Sequence, residues 1–139
     1  MPVQSFSFRI KTNGFSDVHD VTSKVQEKLQ TPTLRNGVLN VFVSGSTAGI
    51  TTIEYESGAV ADLKKAVERI APQNMHYDHS ARWGDGNGFA HVRAALLGPS
   101  LSIPFVEAEL QLGTWQQIVL IDFDNRPRQR EVLVQIVGE

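Results

Sequence analysis

The chain is 139 residues long, 41% hydrophobic and 20% charged, with no cysteine and a formal net charge of -2. That length supports one core of ordinary size, and the lack of thiols excludes disulfides and thiolate metal sites. No apolar run approaches the roughly 20 residues of a membrane-spanning helix, and without a basic excess nucleic acid is a poor candidate partner.

The first ten residues lack the basic start, apolar core and cleavage site of a secretory signal, so a cytoplasmic location is expected. Ser5 to Ile10 alternates strictly and places Phe6, Phe8 and Ile10 on one face, as a half-buried strand requires. Asn13-Gly14 is its turn. Behind Asp20, a candidate N-cap, Val21, Val25 and Leu29 recur at four-residue spacing and predict a short amphipathic helix ending before Pro32. Val38 to Val43 fits a strand buried on both faces. After the small-residue loop 44–49, Ile50 to Glu56 reads as a strand with Glu54 and Glu56 on one side.

Val60, Leu63, Val67 and Ile70 mark a helix that Pro72 stops. From Gln73 to Gly88 no apolar period survives, and a loop is expected that gathers Tyr77, His79, Arg82, Trp83, Asp85 and Asn87. Phe89 to Leu97 predicts a helix, with Gly98 in the left-handed position after it and Pro99 barring extension. Strands are read at Leu101 to Phe105, Ala108 to Leu112, Gln117 to Asp122 and Glu131 to Val137, the last two flanking a charged turn from Asp124 to Arg128. No repeat or linker interrupts the sequence, so residues 1–139 form one α+β domain: an antiparallel-rich sheet or sandwich with two or three packed helices.

Several residues invite a chemical reading. Asp85-Gly86-Asn87-Gly88 stands at a loop-to-helix junction, where glycines admit a ligand close to the backbone and free N-H groups favour a phosphate; an ordinary turn ending in a helix cap fits the same residues. His79 and His91 could bind a divalent ion with Glu54 or Asp85, or serve as structural hydrogen-bonding groups. Glu54, facing a cleft, would act as a general acid or base, and a solvated outer face is its alternative. Trp115 and Gln116 suit stacking and hydrogen bonding to a heterocycle, or a buried strand junction. Arg126, Arg128 and Arg130 suit a phosphate clamp or a solvated hairpin tip paired with local acids.

The segments Leu112-Gly113-Thr114-Trp115-Gln116-Gln117-Ile118, Asn87-Gly88-Phe89-Ala90-His91 and Leu97-Gly98-Pro99-Ser100 together resemble the YjbQ-like family, also called the secondary thiamine-phosphate synthase family. Ser46-Thr47-Ala48-Gly49-Ile50 with Glu54, Tyr77 with His79, and Asp124 with Arg126 and Arg128 support the resemblance over nearly the whole chain. It implies a β-rich homotrimer with clefts near subunit boundaries. It also implies a secondary activity that joins a pyrimidine pyrophosphate to a thiazole phosphate, with a divalent metal such as Mg or Zn neutralising the leaving pyrophosphate. The polar cluster it implies comprises Ser46, Thr47, Glu54, His79, Asn87, His91, Trp115 and Gln116. Asp85, Gly88 and Arg128 join it as ligand contacts, Glu54 and His91 as catalytic groups, and His79 and His91 as metal ligands. Where relatives frequently carry histidines, this chain has Gly45 and Phe89, which reduces a three-histidine metal set to His79 and His91 with carboxylate or water. The competing readings are a non-catalytic trimer that binds a metal or a phosphorylated metabolite, and a small phosphometabolite hydrolase.

Overall fold

The computed structural model describes residues 2–139. Its elements in chain order are β1 (Val3–Thr12), β2 (Asp17–Asp20), α1 (Thr22–Gln30), β3 (Gly37–Ser44), β4 (Ala48–Ile53), α2 (Ser57–Ile70), α3 (Asp78–Trp83), α4 (Gly88–Leu97), β5 (Ser100–Val106), β6 (Glu109–Leu110), β7 (Gln117–Asp122) and β8 (Arg128–Gly138). Strands β1-β8-β3-β5-β6 make a five-stranded sheet and β2-β7-β4 a three-stranded one. The pairings are antiparallel, as short connections and alternating residues favour.

Alternation places the core. On β8 the residues Val132, Val134 and Ile136 are buried while Leu133, Gln135 and Val137 face outward, and Leu39, Val41 and Val43 repeat the pattern on β3. These inward residues meet Ile118 and Leu120 of β7, and α1 closes the layer with Val25 and Leu29. Strand β7 is buried on both faces. Its other face, Val119 and Ile121, joins Phe123 in a second cluster beneath α4, with Val60, Leu63 and Val67 of α2 packed alongside. Three layers result: the larger sheet, the smaller sheet, and helices α2 and α4, with α1 packed into the first cluster instead. No helix among the described residues is long and apolar enough to cross a membrane.

The α+β expectation holds, with four helices rather than two or three, because the stretch read as loop contains α3. Strand β2 was not predicted; its four residues gain their order from pairing with β7. Strand β3 is buried on one face only, since Val38 is 48% exposed. The strand predicted through Glu56 stops at Ile53. Glu56 instead caps α2, its carboxylate accepting hydrogen bonds from the Gly58 and Ala59 amides, which hold its pKa below the usual range. Ala108 to Leu112 shrinks to β6, because Glu107 and Ala108 take positive φ (55° and 62°) and form the tight turn of a β5-β6 hairpin. Gly98 takes φ 93° with ψ 154°, an extended mirror geometry rather than a left-handed helical turn, and leads directly into β5.

Leu120 is fully buried at the centre of β7. Leu120→Ala is expected to lower urea-unfolding free energy by about 2–5 kcal/mol, whereas Val92→Ala on the open face of α4 should stay within about 0.5 kcal/mol.

Candidate functional site

The inward-facing rows of the sandwich change character at one end. Ile118 and Leu120 continue into Asp122 and Asp124, Val134 and Val132 into Arg130 and Arg128, and Ile10 into Thr12, since residues two apart on a strand share a face. The core therefore ends in a polar plug. Arg130 donates from Nε and Nη2 to the two oxygens of Asp122 at 2.6 and 2.9 Å, and Thr12 donates to Asp122 Oδ2 at 2.5 Å. The Thr47 hydroxyl accepts from Arg130 at 2.5 Å and donates to Asp124 Oδ2 at 2.8 Å, which also accepts from Arg128 Nε at 3.1 Å. Asp122, Asp124, Thr12, Thr47 and Arg130 are all buried. Burial alone would raise the Asp124 pKa, but Thr47, the Asn87 side chain and Arg128 outweigh it and hold the carboxyl below its ordinary range. Asp124 Oδ1 has no hydrogen-bond partner.

This plug shapes the turn between β3 and β4. Gly45 admits Arg130, whose Nη1 would lie 2.7 Å from any Cβ there, and Thr47 is buried while Ser46 stays exposed. Between the turn and α4 opens a cleft of about 360 Å³, walled by Gly45, Ser46, Ala48, Ala94 and Pro99 with His91 as its titratable group. The His79 ring lies against His91, centroids 4.3 Å apart. His79 Nδ1 is 3.4 Å from Asp85 Oδ1. Ser46, Thr47, His79, Asp85, Asn87, Gly88, His91 and Arg128 thus belong to one end of the molecule.

The start of α4 does not offer the open phosphate cradle expected from its glycines. The Asn87 amide donates to Asp85 at 3.2 Å and the Gly88 amide to the Ser80 hydroxyl at 3.2 Å, while Asn87 Oδ1 accepts from the Asn125 amide at 3.1 Å. Asn87 and Gly88 are buried, and a Cβ on Gly88 would collide with Tyr77. The glycine is there for packing.

Glu54, Trp115 and Gln116 lie elsewhere. Strand β4 runs from the plug at Ala48, paired with Asp122, to Ile53, paired with Gln117. Six residues of extended chain separate Thr47 from Ile53, roughly 20 Å at about 3.3 Å per residue. At the far end Gln116 donates to Thr52 Oγ1 at 3.1 Å and its Oε1 accepts from the Gly113 amide at 2.9 Å, pinning a turn that leaves Trp115 70% exposed. The polar cluster that the resemblance implies is therefore not assembled within one chain: its members form two groups at opposite ends of the β4-β7 hairpin. Trp115 is not a buried junction residue.

Among the described residues no three His, Asp or Glu side chains are grouped to hold a metal ion. His79 and His91 alone do not fit a resident divalent site, which needs at least a third protein donor. An apolar hollow of about 200 Å³ between α2 and α4 offers no chemistry, since its one charged neighbour, Arg93, is engaged by Ala71 O, Ser16 Oγ and Glu68. Sequence reasoning missed Asp122 and Thr12, and it read Arg130 as a phosphate clamp or a solvated hairpin tip rather than as the buried partner of Asp122. The signal for the acid and the arginine was the doubled spacing Asp122-x-Asp124 and Arg128-x-Arg130 across a short turn.

The family described as "UPF0047 protein YjbQ-like" matches residues 6–139. A UPF0047 protein of Methanothermobacter thermautotrophicus is 35% identical over 139 residues, covering 100% of this chain and 95% of its own. One from Synechocystis is 36% identical over 132 residues, covering 94% and 88%. Among solved structures, a protein of Aeropyrum pernix superposes with a TM-score of 0.90 at 34% identity over 98% of this chain and 99% of its own. A YjbQ/UPF0047 protein of Clostridium acetobutylicum gives 0.86 at 31% identity, covering 95% and 99%.

Asp124 has a folded pKa below its unfolded value of about 3.9, so it binds its proton more weakly when folded. The stability it contributes is present above pH 4 and is lost as pH falls through the folded value. Asp124→Asn should cost about 3–5 kcal/mol in urea unfolding at pH 7 and flatten the loss of stability below pH 4. An unchanged acid limb in the variant would contradict this assignment.

Proposed function

Because the chain belongs to the YjbQ-like UPF0047 family and opens a cleft with His91 facing a serine-glycine turn, we propose that it is a thiamine-phosphate synthase-like transferase acting on small phosphorylated metabolites. The observation that carries the reading is a half-exposed imidazole at the same end of the fold as an exposed hydroxyl and a guanidinium. Ser46 is exposed, and Arg128 uses Nε for Asp124 while its Nη groups have no protein partner among the described residues. A guanidinium fork and a hydroxyl are suited to phosphate oxygens.

In the proposed reaction the thiazole ring nitrogen forms a bond to the methylene carbon of the pyrimidine pyrophosphate. The bond from that carbon to oxygen breaks, and pyrophosphate leaves with the electron pair. Arg128 and Ser46 hold the departing phosphates, and protonated His91 gives its proton to the oxygen that becomes free. No step is assigned to a divalent ion, since the two imidazoles fall short of a resident donor set.

Glu54, Trp115 and Gln116 enter this reading only from a neighbouring copy. We propose a homotrimer in which that end of one chain meets the cleft of the next, a head-to-tail contact that closes into a ring. The outer face of the larger sheet supports self-association. Three successive cross-strand rows carry no charge: Val3, Val137 and Val38; Ser5, Gln135, Asn40 and Ser102; Ser7, Leu133, Phe42 and Ser100. Interface cores are depleted of charge in this way.

Incubation with the two precursors is expected to yield thiamine phosphate, with kcat lowered about 100-fold in His91→Ala and KM raised in Ser46→Ala. If wild-type protein makes no more product than His91→Ala, the transferase reading fails; isothermal titration with pyrophosphate then decides whether the cleft is a binding site without turnover.

A further inference from the structure

The half-buried His79 imidazole beside the cleft has a position that the reaction above leaves unexplained. Its Nδ1 is buried without a hydrogen-bond partner, although the rest of the side chain is 34% exposed. Such an orphan is destabilising unless something answers it. The facing group is Asp85 Oδ1 at 3.4 Å, beyond good hydrogen-bond geometry. Asp85 is held in place from both sides: the same oxygen accepts from the Asn87 amide at 3.2 Å, and its backbone carbonyl accepts from Asn125 Nδ2 at 2.8 Å.

A neutral imidazole carries its proton on one nitrogen only. A lone pair on Nδ1 would confront a carboxylate oxygen at close range, acceptor against acceptor. A proton on Nδ1 turns the same approach into a charge-assisted hydrogen bond that closes by a few tenths of an ångström. With Nδ1 so occupied, Nε2 carries the lone pair, on a ring that is partly exposed and lies against His91.

We propose that His79, oriented by Asp85, is a second proton-transfer group of the cleft and complements His91 as a base. This takes the role that the sequence reading gave to Glu54, and it rests on the cleft being the reaction site. As the carbon-oxygen bond breaks, the exocyclic N-H of the pyrimidine gives its proton to Nε2 and its freed pair becomes a carbon-nitrogen double bond conjugated to the methylene. The thiazole nitrogen, which carries no proton, then bonds to that methylene while the imine nitrogen takes the proton back from the imidazolium, whose Nδ1-H stays on Asp85 throughout. Asp85 is the positioning residue, as carboxylates behind functional imidazoles generally are.

Long-range ¹⁵N-¹H spectra report which nitrogen carries the proton. In wild-type protein His79 is expected as the Nδ1-H tautomer, with Nε2 perturbed on addition of pyrophosphate. Asp85→Ala should shift the population toward Nε2-H, whereas Asp85→Asn, which keeps an acceptor oxygen, should retain Nδ1-H. In the precursor assay His79→Gln should lower kcat about 100-fold with KM within about twofold. A wild-type Nε2-H tautomer, a tautomer indifferent to Asp85→Ala, or no response to pyrophosphate would each overturn the proposal. Absence of turnover by the wild type would remove the transferase reading alone, because the tautomer and pyrophosphate measurements need none.

Discussion

The bidentate contact between Arg130 and Asp122 holds the two sheets together at the end where the His91 cleft opens. Arg130 belongs to β8 of the larger sheet and Asp122 to β7 of the smaller, and no backbone ladder joins those strands. A buried ion pair seldom adds stability over a well-packed apolar pair of the same volume, yet losing one partner leaves a charge stranded. Its presence here is better explained by position. It fixes where the sandwich stops, lets the β3-β4 turn close over a guanidinium at Gly45, and buries Thr47 while Ser46 remains outside. The cleft wall follows from that arrangement.

Much of the fold was legible because the apolar period survives where a single face meets the core. Val21, Val25 and Leu29 gave α1, and the alternation of β8 gave its inner face. Reading failed where a local competitor intervened. Glu56 found two amides to accept from and became a helix cap, so the alternation that put Glu54 and Glu56 on one strand face had no strand to act on. Residues 107 and 108 turned the chain and left β6 with two residues. The family resemblance grouped His79, Asn87 and His91 with Trp115 and Gln116, but sequence order could not reveal that β4 holds the two sets apart.

Charge was the harder signal. Asp122, Asp124, Arg128 and Arg130 look like an exposed hairpin tip, since charged residues in a turn are usually solvated. Their spacing says otherwise once parity is followed from Leu120 and Val132, because the same inward face continues without a break. Two acids and two guanidiniums balance in charge, and Thr12 and Thr47 satisfy further lone pairs. Paired and hydrogen-bonded charges are the form in which such groups tolerate burial. A run of charges at strand ends is therefore best read by its parity with the apolar residues that precede it.

The same geometry constrains any account in which all the candidate residues serve one ligand. The hairpin separates the Ser46 end from the Trp115 end by roughly 20 Å of extended strand, more than one ring-bearing monophosphate spans. Trp115 is held out on a turn fixed by both the side chain and the backbone of Gln116, so it cannot fold back toward His91 without breaking those bonds. Either the two ends act on different things or they belong to different copies of the chain. A rigid, exposed indole is the kind of group that anchors a contact at little entropic cost, and the cleft at the opposite end is floored by Ala48, Ala94 and Pro99. An apolar knob and an apolar-floored recess on opposite ends of one molecule can meet only between molecules, which is the geometry the proposed homotrimer uses.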